Sequence, residues 1–94
     1  MNKDTSISRQ VATEVVAIFS EKLNKQITPK IFIGLSNKFS DWIMKAKNKD
    51  DLICRQAALR RAALSTNIII GDDKITNSDE LLKFADLLVK YYSL

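Results

Sequence analysis

Residues 77–93 read Asn77-Ser-Asp-Glu-Leu-Leu-Lys-Phe-Ala-Asp-Leu-Leu-Val-Lys-Tyr-Tyr-Ser93, and this stretch decides the fold class. Stepped at the helical angle, Leu81, Leu82, Phe84, Ala85, Leu88, Val89, Tyr91 and Tyr92 sweep one broad apolar arc. Asp79, Lys83, Asp86 and Lys90 gather on the opposite side. Asn77 stands three residues before Glu80, which is the spacing of a capping box with asparagine as the cap. The pattern predicts a helix from about Ser78 to Ser93. The pairs Asp79–Lys83 and Asp86–Lys90 support it by about 0.2–0.5 kcal/mol each.

Counting Leu87 and Tyr91, the arc covers more than half the circumference. A surface helix needs an apolar stripe only a little over ~100° wide. The excess fits either a central helix buried on several sides or a helix with a partner-facing flank. Tyr91 and Tyr92 suit an interface rim, where the ring packs and the hydroxyl stays wet. Leu87, Tyr91 and Tyr92 are therefore the candidate partner-binding residues.

Toward the N-terminus, Ile68-Ile69-Ile70 and Gly71-Asp72-Asp73-Lys74 come first. The glycine–aspartate segment reads as a turn. The three isoleucines fit either the end of a helix or a short strand. The preceding segment, about Asp51 to Ser65, holds Ala57, Ala58, Ala62 and Ala63 and reads as a third helix. Lys45–Asp51 is a polar connection, with Asn48 as a C′ candidate and Asp50 or Asp51 as an N-cap candidate. Thr28-Pro29 is a start signal, because Thr can cap and Pro has no N–H to satisfy at the first helical position. A second helix follows to about Lys47, with Phe32, Leu35, Phe39, Trp42, Ile43 and Ala46 on its apolar face. A rival reading pairs Lys30–Ile33 with Asn67–Ile70 as a two-stranded ribbon. The first helix runs from about Ser8 to Lys25, with Ile7, Val11, Val15, Ile18, Phe19 and Leu23 along one face. Asp4, Ser6 and Ser8 compete as its cap.

The 94 residues make one domain, with 46% hydrophobic and 28% charged residues, as in globular chains. Two glycines and one proline are few for a turn-rich β fold. The expected architecture is an all-α compact bundle of about four helices, with a two-stranded element as a minor variant. The first ten residues lack the apolar core of a signal peptide, and no apolar run is long enough to span a membrane. A single cysteine, Cys54, suits a reducing compartment, and a cytoplasmic location is the expectation.

Catalytic chemistry is poorly supplied. The chain has no histidine, which removes the commonest general base and the commonest metal ligand. One cysteine cannot build a structural zinc site. Glycines at 34 and 71 assemble neither a P-loop nor a dinucleotide fingerprint. No Ser-x-x-Lys spacing occurs. A calcium loop aligned on Asp79 would put Ile68 and Ile70 at ligand positions, where neither can coordinate. The acid pairs Asp50-Asp51, Asp72-Asp73 and Asp79-Glu80 read as caps that favour the helix dipole. No catalytic, cofactor-binding or metal-binding residue is expected, and no cofactor.

Charge is unevenly spread. The net charge is +4. Residues 1–66 hold 12 Lys/Arg against 6 Asp/Glu, a net of +6, and residues 67–94 hold 3 against 5, a net of −2. A basic body suits an acidic partner. Lys45, Lys47 and Lys49 in the connection and Arg55, Arg60 and Arg61 on the third helix are the candidate nucleic-acid contacts. On an ideal helix the three arginines point in different directions, so they do not share one face. Trp42, Phe32 and Phe39 fit base stacking less well than they fit a core stripe.

Two functions compete. The first is a non-enzymatic protein-binding module, a small inhibitor, immunity or regulatory factor that docks on a larger partner or on itself as a homodimer. The second is a nucleic-acid-binding regulator. In size, basic charge and helical pattern the chain resembles the small helical immunity proteins of Gram-positive bacteria. No residue motif carries that likeness, which stands as an analogy of shape.

Overall fold

The computed structural model describes residues 2–94. Four helices follow in order: α1 (Lys3–Lys22), α2 (Pro29–Met44), α3 (Lys49–Ser65) and α4 (Ser78–Tyr92). Two single 3-10 turns, Thr66–Ile68 and Gly71–Asp73, lie between α3 and α4. The fold is the expected all-α bundle. Among the described residues there is no strand, so the ribbon variant does not form. Lys30–Ile33 is the first full turn of α2, and Ile69–Ile70 runs extended out of the first 3-10 turn.

Every helix starts on a side chain that satisfies an otherwise orphaned N–H. Thr28 accepts from Ile31 N at 3.2 Å, with Pro29 at the first helical position as the sequence predicts. Asn77 accepts from Glu80 N at 2.9 Å. The α1 cap corrects the expectation. Asn2 accepts from Thr5 N at 2.8 Å, so the helix begins five residues before Ser8, which is itself fully buried. Asn48 corrects another. It does not end α2 but caps α3, accepting from Asp51 N at 2.9 Å. Asp51 in turn accepts from Lys47 N at 2.9 Å, as Glu80 does from Thr76 N at 2.8 Å.

The end of α1 needs no glycine. Asn24 takes the left-handed conformation with φ of 55°. Asn24 N–H donates to Glu21 O at 3.0 Å and Lys25 N–H to Ser20 O at 2.9 Å, the two bonds of a Schellman motif. Helix α1 therefore stops three residues before Lys25. Gly34 in α2 has open space where a Cβ would stand, so it serves no close contact.

α1 packs on α2 and α3, and α3 packs on α1 and α4. α2 touches α3 and α4 only lightly. The Cα envelope measures 35 × 34 × 15 Å. Two helix axes ~8–10 Å apart, with Cα atoms ~2.3 Å from each axis, fill about 13–15 Å, so the molecule is a plate two helices thick. Val11, Val15, Val16 and Phe19 of α1 meet Phe39, Trp42 and Ile43 of α2 in one core cluster with Leu59, Ala62 and Ala63 of α3. Phe19 and Phe39 pack edge to face, with centroids 6.3 Å apart. Small buried residues, Ser8 and Ala12 on α1 and Ala58, Ala62 and Ala63 on α3, let the central pair approach closely. Trp42 and Phe39 are core residues rather than a stacking platform.

Candidate functional site

α4 sits at one edge of the plate, and its arc is only partly covered. Leu81 and Ala85 are fully buried, and Leu82, Phe84, Leu88 and Val89 pack against the core from its margin. Leu87 is 60% exposed and Tyr91 69%. On an ideal helix the residues order themselves around the axis starting from the buried seam of Leu81 and Ala85. Turning one way from that seam, Leu88 comes first, then Phe84 and Tyr91, then Glu80 in the first turn of the helix, then Leu87. The charged residues Asp79, Lys83, Asp86 and Lys90 follow, grouped on the side opposite Leu81. Leu87 and Tyr91 thus form an apolar flank between the buried seam and the charged face. Tyr92 differs from both. It falls between Leu81 and Ala85 in projection, in line with the buried seam. It is 41% exposed, at the last residue of α4.

Beside this flank is a hollow of about 320 Å³. Phe84, Leu87 and Ile75 supply its apolar lining, and Asp72, Asp73, Glu80 and Lys83 its charges. Three acids against one lysine make the hollow locally acidic. The 3-10 turn at Gly71 brings Asp72 and Asp73 there, and Gly71 has φ of 78°, a left-handed angle glycine adopts freely. The Glu80 carboxyl is held below the usual carboxylate range by the Thr76 hydroxyl, at 2.7 Å, and by the Thr76 N–H. The Asp79 carboxyl is also lowered, first by its hydrogen bond from Lys38 at 2.7 Å and then by that lysine's charge. Both acids stay ionised at neutral pH.

The basic candidates are dispersed. Lys45 and Lys47 lie exposed in the α2–α3 connection, and Lys49 pairs with Asp4 of α1. Arg60 lies 3.3 Å from Glu14. Arg61 is exposed, and 12 residues of helix separate it from Lys49, about 18 Å along the axis. Arg55 is turned inward. Its guanidinium stacks 4.8 Å above the Trp42 ring, donates to Trp42 O at 2.8 Å and lies 3.5 Å from Asp51. On the other side, Trp42 Nε1 donates to Asp86 at 3.1 Å. Asp51, Arg55, Trp42 and Asp86 thus tie α2, α3 and α4 together. Cys54 is half-buried beside this tie on α3.

Sequence reasoning reached Leu87 and Tyr91 but not Phe84, Asp72 and Asp73 as their neighbours. The turn that folds residues 71–75 back over α4 leaves no periodic signal. Among the described residues no helix is long and apolar enough to cross a membrane. Compared with protein-family models, curated proteins and solved structures, the chain matches none.

Proposed function

We propose that this protein is a non-enzymatic binding module that docks on another protein through the outer flank of α4. One observation carries the reading: Leu87 and Tyr91, one turn apart, stand 60% and 69% exposed on a helix whose Leu81–Ala85 seam is sealed into the core. Burying a side chain of this size stabilises a complex by about 1.5–3 kcal/mol before ordering costs. The adjoining hollow, lined by Phe84 and by the acids Asp72, Asp73 and Glu80, suits an apolar anchor with a basic neighbour. The missing histidine and the absence of nucleophile–base pairs in the sequence support a binding role over a chemical one.

The decisive experiment compares wild type with the Leu87→Ala/Tyr91→Ala double variant. Each is used as bait in affinity capture and run in sedimentation equilibrium. The reading expects a captured protein, or a self-associated form, that the double variant loses while its far-UV circular dichroism is unchanged. Identical capture and identical mass for both baits would sink the assignment of this flank. Collapse of the dichroism would mean that the flank is part of the core.

A further inference from the structure

A second hollow, of about 440 Å³, lies where the end of α1 meets the 66–76 connection. Lys22 and Lys25 reach it from α1 and its Schellman turn, and Lys74 from the segment before α4. No Asp or Glu lines it. None of the three lysines has an ion pair among the described residues. Most other donors around the hollow are already committed. Lys25 N–H donates to Ser20 O and Lys74 N–H to Gly71 O, at 2.9 and 3.1 Å. The Thr76 N–H and hydroxyl both go to Glu80. The Thr66 hydroxyl donates to Ala62 O at 3.0 Å. Lys22, Lys25, Lys74 and Asn67 supply its polar lining, and Leu23 and the buried Ile75 its apolar lining.

We propose that this hollow binds a compact phosphate-bearing anion. Three like charges around one concavity repel each other unless an anion sits between them, and the repulsion falls away when one does. With recognition left to flexible ammonium groups rather than fixed backbone N–H groups, affinity should rise with ligand charge and depend little on ligand shape. The volume lies within the range of small-ligand pockets, about 300–1,000 Å³. The site is independent of the α4 flank, so either assignment can fail without the other.

Isothermal titration with inorganic tripolyphosphate tests it, at about 20 mM and about 200 mM salt, where the Debye length changes from roughly 20 Å to under 10 Å. The expected result is binding at low salt that the Lys22→Gln/Lys25→Gln/Lys74→Gln variant weakens at least about tenfold. The control, Lys45→Gln/Lys47→Gln/Arg61→Gln, removes the same charge elsewhere and should stay within about twofold. Pyrophosphate should bind more weakly than tripolyphosphate, and inorganic phosphate more weakly still. Equal losses in both variants, or no binding at low salt, would overturn the site. Displacement of tripolyphosphate by a short DNA duplex at equal phosphate concentration would replace the compact ligand with a nucleic-acid backbone and so overturn the proposal in this form. Circular dichroism of both variants guards against misfolding.

Discussion

α1 and α4 are built to the same recipe and used differently. Both begin on an asparagine cap, Asn2 and Asn77, and both carry apolar residues at three- and four-residue spacing. Yet α1 buries Ser8, Val11, Ala12, Val15, Val16 and Phe19, whereas α4 fully buries only Leu81 and Ala85. The cause is position. α1 lies against both α2 and α3, and α4 lies mainly against α3. A helix with two neighbours needs apolar or small residues around more of its circumference, so its stripe blurs. A helix at the edge keeps a sharp division between seam and charged face. Clear amphipathicity therefore marks a peripheral helix here, and the excess width of its arc marks surface that the fold leaves open.

The largest test of this contrast is in the core. Phe19→Ala removes a nearly buried ring and its edge-to-face partner contact, and should cost about 3–5 kcal/mol in urea unfolding. Leu81→Ala, on the sealed seam of α4, should cost about 2–3 kcal/mol, because a helix packed mainly against α3 can shift to close part of the gap. A larger loss at Leu81 than at Phe19 would reverse the ranking of the two helices.

The caps come next. Asn77→Ala should cost about 1 kcal/mol, since the buried Leu81 lies only four residues on and the first turn cannot fray without moving it. Asn2→Ala should cost less, because Lys3, Asp4, Thr5 and Ser6 can fray before the first fully buried residue, Ser8. Equal costs would mean that the start of α1 is as tightly coupled to the core as the start of α4.

Glu80 gives a pH-dependent version of the same test. Its folded-state pKa is lowered by Thr76, so the stabilisation is present above the unfolded value of about 4.3 and is lost as pH falls through the folded value. Glu80→Gln should flatten the acid limb of a stability profile taken from pH 6 down to about pH 3, whereas wild type should decline there. A wild-type profile as flat as that of the variant would remove Glu80 from the cap. The smallest effect belongs to the flank. Leu87→Ala and Tyr91→Ala should each change stability by no more than about 0.5 kcal/mol.

What the sequence discloses follows from which signals are local. Thr28-Pro29 and the Asn77–Glu80 box announce helix starts because the accepting cap and the N–H that donates to it lie three residues apart. The start of α1 is hidden because Lys3–Ser6 is polar and adds nothing to the apolar spacing, so the cap at Asn2 has no apolar run beside it. Asn48 is ambiguous because asparagine suits both an N-cap and a C′ position. The extended backbone at Asn48, φ −158° and ψ −178°, belongs to the cap. Arg55 reads as an open basic residue until Trp42, on another helix, is brought beneath it. Lys22 and Lys74 are 52 residues apart, and only the chain's path places them around one hollow. Lys45, Lys47 and Lys49 stand at every second residue and are more conspicuous, yet Lys49 is paired with Asp4 of a distant segment.

The chain has one tryptophan, and its placement gives the molecule an internal optical reporter. The Trp42 indole belongs to α2, lies beneath a guanidinium from α3 and donates its N–H to a carboxylate of α4. It is 7% exposed, so its emission is that of a shielded ring. Lifting α4 away would break the bond to Asp86, wet the ring and shift that emission to the red, while the dichroism of α1 to α3 stayed in place. Fluorescence and dichroism melting together would show one cooperative unit. Fluorescence changing first would show α4 leaving as a separate flap, and the temperature gap between the two signals would measure how loosely the edge helix is held.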